Sequence, residues 1–130
     1  MIGSNAYNYI NVLGKAADAS WLRDELISNN LANVSTPNYK RKDVQFESYL
    51  MTAVAGGDSL DDNIDNIDLS ALNPTTYTEY SGLSYRLDGN NVDIDTESAE
   101  LAKNQLRYYT LIDSMSQEFS RIKMVLNRNS

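Results

Sequence analysis

The sequence predicts a mainly α protein: long N- and C-terminal helices that pair as a coiled coil, a short third helix, and a loosely structured acidic middle with a small β-hairpin. Three observations predict it. Apolar residues recur in alternating steps of four and three along the last third of the chain. A broader apolar stripe at helical spacing fills the first thirty or so residues. Between the two lies a stretch rich in Asp and Gly and poor in apolar side chains. At 130 residues the chain fits one domain, 1–130.

The N-terminal helix is expected over 5–34. Tyr9, Val12, Ala16, Ala19, Leu22, Leu26 and Ile27 form one stripe, interrupted by Arg23 and Asn30. Ser35-Thr36-Pro37-Asn38 is turn chemistry, and Pro37 pushes Thr36 out of the helical region. A turn and a short helix follow over 35–54. Asp43 is its expected cap, and Val44, Leu50, Met51 and Val54 are its apolar side. Lys40-Arg41-Lys42, the one basic cluster, reads as a solvated corner beside the turn.

The middle, 55–94, opens with Gly56-Gly57 and carries Asp58, Asp61, Asp62, Asp65 and Asp68. So few apolar residues among like charges leave little burial to offset the entropy of ordering. Tyr77, Tyr80, Leu83, Tyr85 and Leu87 favour strand, and Asp88-Gly89 or Asn90-Asn91 can turn, so a hairpin is expected here.

The C-terminal helix is expected over 95–129, capped by Asp95 or Thr96, with Glu97 and Glu100 suited to its first turn. Its seam runs Leu101, Gln105, Tyr108, Ile112, Met115, Phe119, Ile122, Leu126, Asn129. Seven of these nine are apolar, the pattern of a coiled-coil seam. Leu106, Leu111 and Val125 lie beside it and widen the apolar face beyond what one partner helix covers. Neighbouring chains are therefore expected to complete the burial.

Composition excludes several functions. Eleven basic against eighteen acidic residues give a net charge of −7. That balance argues against nucleic acid and against direct binding to anionic lipid. With neither His nor Cys, the chain offers no Ser-His-Asp triad, thiolate, disulfide or conventional zinc site, and no cofactor is expected. Asp61-x-Asn63-x-Asp65 starts like a calcium loop but has Asn66 where Gly is needed and Leu72 where the bidentate Glu belongs. Glu97 and Glu100 are explained by the helix dipole before any hydrolytic pair is invoked. Trp21 reads as a partly buried interface residue. No run is long enough to span a membrane. Ile2 to Leu13, broken by Asn5, Asn8 and Asn11 and lacking a basic leader, is not expected to be a cleaved signal.

The first helix ends in Ser28-Asn29-Asn30-Leu31-Ala32-Asn33-Val34-Ser35-Thr36-Pro37-Asn38-Tyr39-Lys40. This resembles the N-terminal signature of bacterial flagellar axial proteins: rod, hook and hook-associated subunits. Asn38 departs from the Gly usual there, yet Asn is the next best residue for a left-handed backbone. Asp88-Gly89-Asn90-Asn91-Val92-Asp93-Ile94-Asp95-Thr96-Glu97, continuing through Ala99-Glu100-Leu101-Ala102-Lys103-Asn104-Gln105-Leu106-Arg107-Tyr108, looks like the proximal-rod subclass. Many relatives have Met where this chain has Ser98. The short middle is similar too.

The resemblance implies a structural, non-enzymatic subunit whose terminal helices pair and pack with neighbours into a helical tube, the rod that carries motor torque through the periplasm. It implies export by the flagellar type III route without a cleaved signal. The implied partners are further copies, other rod subunits, the rod–ring junction protein and the export gate. The expected assembly interface comprises Leu22, Leu26, Asn29, Asn30, Leu31 and Asn33 of the first helix with Leu101, Gln105, Tyr108, Ile112, Met115, Phe119, Ile122 and Leu126 of the last. For Asn29, Asn30 and Asn33 two readings stand: buried amides that set register in the assembly, or residues that end the helix facing water. The alternative function is an adaptor whose C-terminal coiled coil binds one partner helix without forming a tube.

Overall fold

Two long helices dominate a computed structural model of the chain, which describes residues 2–55, 59–80 and 86–128. Helix α1 spans Ile2–Ala32 and helix α4 spans Ile94–Arg128. At 1.5 Å per residue α4 is about 52 Å long. The two pack side by side and antiparallel, because Gly14 lies against Met115, Ser20 against Asn104 and Asn30 against Glu97. None of the helices among the described residues is long and apolar enough to cross a membrane.

Between them come strand β1 (Lys42–Gln45), helix α2 (Glu47–Val54), helix α3 (Leu60–Asp65), a 3₁₀ turn (Leu69–Ala71) and strand β2 (Thr75–Thr78). The strands pair antiparallel, with Lys42 opposite Thr78 and Gln45 opposite Thr75. This corrects two expectations. The segment after Lys40 forms a strand before it becomes helical, so α2 begins at Glu47 rather than Asp43. Asp43 does not cap it, because Arg23 and Arg41 hold its carboxylate. The hairpin expected over 77–94 is replaced by pairing of β2 with β1, some thirty residues earlier. Leu83 and Tyr85, its other expected strand residues, lie outside the described residues. Local turn signals cannot reveal such a non-local partner.

The expectation of a loosely held acidic middle is also corrected where the chain is described. Ser59 Oγ caps α3 by accepting from the Asp62 N–H at 3.1 Å. Ile64 and Leu72 are buried, while Ile67 and Leu69 pack partly buried beside Leu72. Leu72, with Ile67 and Leu69 against it, joins Ala19 and Phe46 in a small core on one flank of α1. Polar tethers complete the docking: Asn8 Nδ2 donates to Asp65, Tyr9 OH to Asp61 and Lys15 Nζ to Asn73. Four well-spaced apolar residues and three polar ties suffice where average composition predicts little burial.

Helix α4 starts one residue before its expected 95–129 span. Asp93 is the cap, its Oδ1 accepting from the N–H groups of Asp95 and Thr96 at 3.0 and 3.2 Å.

Candidate functional site

The end of α1 and the start of α4 meet in a polar junction built from the two signature segments. Asn30 is fully buried and uses its whole amide. Its Nδ2 donates to Lys42 O at 2.8 Å and to Glu97 Oε2 at 3.2 Å. Its Oδ1 accepts from the Lys42 N–H and from Tyr39 OH. One side chain thus ties α1 to β1, to the turn before it and to α4. Burial, reinforced by the charge of Glu97, raises the pKa of the Tyr39 phenol.

Asn90, also fully buried, performs the same task for the connecting loops. Its Nδ2 lies within 3.0 Å of the carbonyls of Asn33, Val34 and Thr36 in the turn that follows α1. Its Oδ1 accepts from the Val92 N–H. Asn38 adopts φ 61°, the left-handed conformation expected of it, and its N–H donates to Asp88 O at 2.7 Å. Asn91 bridges Arg41 N–H and Glu79 O.

Beside these amides lies a network of charges. Arg41 reaches Glu97, Glu79 and Asp43, while Arg23 reaches Asp43 and Glu100. Burial alone would lower the pKa of Arg41, but the hydrogen bonds it donates to its three carboxylate partners raise it. Burial alone would push Asp43 up; the bonds from Arg23, the Val44 N–H and Arg41 outweigh it and hold the carboxyl below its ordinary range. Lys40-Arg41-Lys42 is therefore no solvated corner, since Arg41 is the hub. Sequence reasoning missed Arg41, Asn90, Asn104 and Glu97 as organising residues. For Asn90, Glu97 and Asn104 the one available signal was their place inside the second signature segment; Arg41 lies one residue past the end of the first.

The expected interface residues fall into three groups. Leu101, Tyr108, Met115 and Ile122 are half-buried on the α1 side of α4. Gln105, Ile112, Phe119 and Leu126 are exposed, the last three by 40, 53 and 62%. The inward places beside the first column belong instead to Asn104, Leu111, Glu118 and Val125, each one residue earlier. On α1, Leu22, Leu26, Leu31 and Asn33 are half-buried and Asn29 is exposed. Asn29 and Asn33 bond to one another at the helix end. Asn30 is the buried amide of the first reading, and its bonds tie together segments of its own chain.

The exposed residues of α4 continue onto α1. Trp21, 56% exposed, stacks at a tilt on Tyr108 with ring centroids 5.7 Å apart. Both line a shallow groove with Ile112, Met115 and Gly14. Tyr7, Tyr109, Ile112, Phe119 and Leu126 extend the exposed apolar surface.

Residues 10–40, which span most of α1 and the signature turn, match the family model described as "Flagella basal body rod protein". The chain is 36% identical over 118 residues to the flagellar basal body rod protein FlgB of Bacillus subtilis strain 168, covering 90% of this chain and 92% of that one. To FlgB of Borreliella burgdorferi it is 32% identical over 132 residues, covering 93 and 92%. To FlgB of Escherichia coli K12 it is 31% identical over 117 residues, covering 80 and 82%. These similarities run the length of the paired-helix fold, and the chain belongs to the flagellar basal body rod protein family, structural components of the flagellum.

Proposed function

We propose that this chain is a non-enzymatic subunit of the proximal rod, exported by the type III gate without a cleaved signal, that assembles with copies of itself and other rod proteins into a torque-carrying helical tube in the periplasm. The rod–ring junction protein is a further partner in this reading. One observation carries it: the apolar stripe Ile112, Phe119 and Leu126, with Tyr109 and Trp21 beside it, is exposed, with no cover among the described residues. A contiguous exposed apolar patch on a soluble domain marks an interaction surface. Here it lies along the outer side of a rod-shaped helix pair, where another helix pair can lie against it. The relatives, named for the basal body rod, supply the setting.

The test separates the two columns of α4. Met115→Asp and Ile122→Asp place a charge against α1 and are expected to damage the monomer fold itself. Phe119→Asp with Leu126→Asp leaves that fold intact, since both side chains already face water. Strains carrying the second pair are expected to export the protein, lose motility and yield basal bodies without a rod. Full motility in those strains overturns the reading. Intact rods together with loss of a discrete one-to-one complex would identify the adaptor instead.

A further inference from the structure

Toward α1, helix α4 presents two columns, each with a seven-residue repeat. One is Leu101, Tyr108, Met115 and Ile122, apolar at every step. The other is Glu97, Asn104, Leu111, Glu118 and Val125, polar at three of five steps. The first column is blind to a slip of seven residues, about 10.5 Å along the axis, because each apolar side chain lands where another stood. The second is not. Asn104, 1% exposed, donates from Nδ2 to Ser20 O at 2.7 Å. Glu97, also 1% exposed, receives Asn30 and Arg41. A slip one way sets the Glu97 carboxylate against the Ser20 carbonyl. A slip the other way carries Glu97 beyond Asn30 and strips both of their partner. Either leaves a buried charge or amide uncompensated.

We propose that Glu97 and Asn104 are register-positioning residues: they select one alignment of α4 on α1 among the heptad-related alignments that the apolar column alone would permit. Asn104 Oδ1 has no partner among the described residues, so an apolar residue of similar size would bury more comfortably there. A polar side chain that lowers stability while admitting a single alignment is how coiled coils specify register. Register in turn decides whether Ile112 stands beside Trp21, and hence whether the outward stripe is continuous. That last consequence rests on the rod-subunit reading; the register itself does not.

The chain has no cysteine, so introduced pairs report alignment without background. A Cβ at Gly14 sits 3.8 Å from Met115 Cε, which makes Gly14→Cys with Met115→Cys the native pair. Gly14→Cys with Ile122→Cys or with Tyr108→Cys reports the two slipped alignments. In the purified full chain, a short thiol cross-linker is expected to join the native pair alone. Adding Glu97→Leu and Asn104→Leu is expected to raise the slipped products about tenfold, with helicity by circular dichroism retained. Glu97→Gln, which can still accept from Asn30, keeps the native product. Unchanged cross-links in the helical double variant overturn the proposal. Should that variant unfold, Asn104→Leu alone, which leaves the Glu97 network in place, is read by the same criterion. Motility plays no part in this assay, so its failure leaves the rod assignment standing, and the failure of that assignment leaves the register result standing.

Discussion

Asn30 and Glu97, 67 residues apart in sequence, meet at 3.2 Å in a place closed to solvent. The amide belongs to the last turns of α1 and the carboxylate to the first turn of α4. Through Arg41, which reaches the same carboxylate, the contact also draws in the strand pair. The exit of one long helix, the entry of the other and the intervening sheet thus share a single polar knot. Its strength follows from completeness: each buried oxygen and nitrogen of Asn30 has a partner.

Removing one member of that knot should be more damaging than its size suggests. Glu97→Ala leaves Arg41 and the Asn30 amide without their buried acceptor, and is expected to cost about 3–5 kcal/mol. Glu97→Gln keeps an acceptor for Asn30 and loses only the charge, so about half that loss is expected. Urea unfolding followed by far-UV circular dichroism decides between them. Equal losses would mean that shape rather than charge pairing holds the junction.

The loop before α4 contains a position that admits only glycine. Gly89 has φ 78°, and a Cβ there would lie 2.5 Å from Asn38 Oδ1. Gly89→Ala therefore combines backbone strain with a steric clash, and is expected to destabilise by about 2 kcal/mol. Asn38→Gly, by contrast, suits its own φ of 61° and should shift stability by only a few tenths of a kcal/mol. Thermal unfolding of the two variants should differ accordingly.

Acid should weaken the junction through Asp43. Its folded pKa is held below the ordinary 3.8 because bonds from Arg23, the Val44 N–H and Arg41 outweigh the opposing effect of burial. The unfolded chain therefore binds this proton more tightly than the folded one. The stabilisation is complete above 3.8 and drains away as pH falls through the lowered folded value. Asp43→Asn is expected to be less stable than the parent at neutral pH and to show a flatter acid limb. A parallel acid limb would remove Asp43 from the account.

Alkali should act at the other end of α1. Hydrogen bonding to the Asp61 carboxylate, at 2.5 Å, pushes the Tyr9 phenol from 10.0 up to about 12. Here the folded chain holds the proton more tightly, so this stabilisation is present below pH 10 and lost as pH rises through about 12. Ultraviolet titration should show Tyr9 and Tyr39 ionising late among the nine tyrosines, and Asp61→Ala should return Tyr9 alone to the ordinary range. No late transition in the parent would mean that α3 does not hold Tyr9 in solution.

Much of the helical frame was legible because periodicity is a local property. The four-three steps that mark the C-terminal helix need no knowledge of the rest of the chain, and Pro37 announces the end of α1 by sterics alone. The left-handed turn at Asn38 could be read from residue type. Less local features were not legible. Lys42–Gln45 looked helical because Asp43 can cap a helix, and only the later strand Thr75–Thr78 shows why it is extended. Ile67, Leu69 and Leu72 are too few to signal order until α1 and α2 provide something to pack against.

By itself the sequence determined two amphipathic helices, the inward column Leu101, Tyr108, Met115 and Ile122, and the Asn-rich signature of the family. Tertiary structure alone decided which flank of that column turns inward. The apolar arc of α4 is wider than one helix can cover, so periodicity permits either Gln105, Ile112, Phe119 and Leu126 or their neighbours one residue earlier. The second set includes Asn104, with its bond to the Ser20 carbonyl, and shares its column with Glu97, with its bonds to Asn30 and Arg41. Those polar contacts exist in one alignment only, and they leave the more apolar flank facing outward.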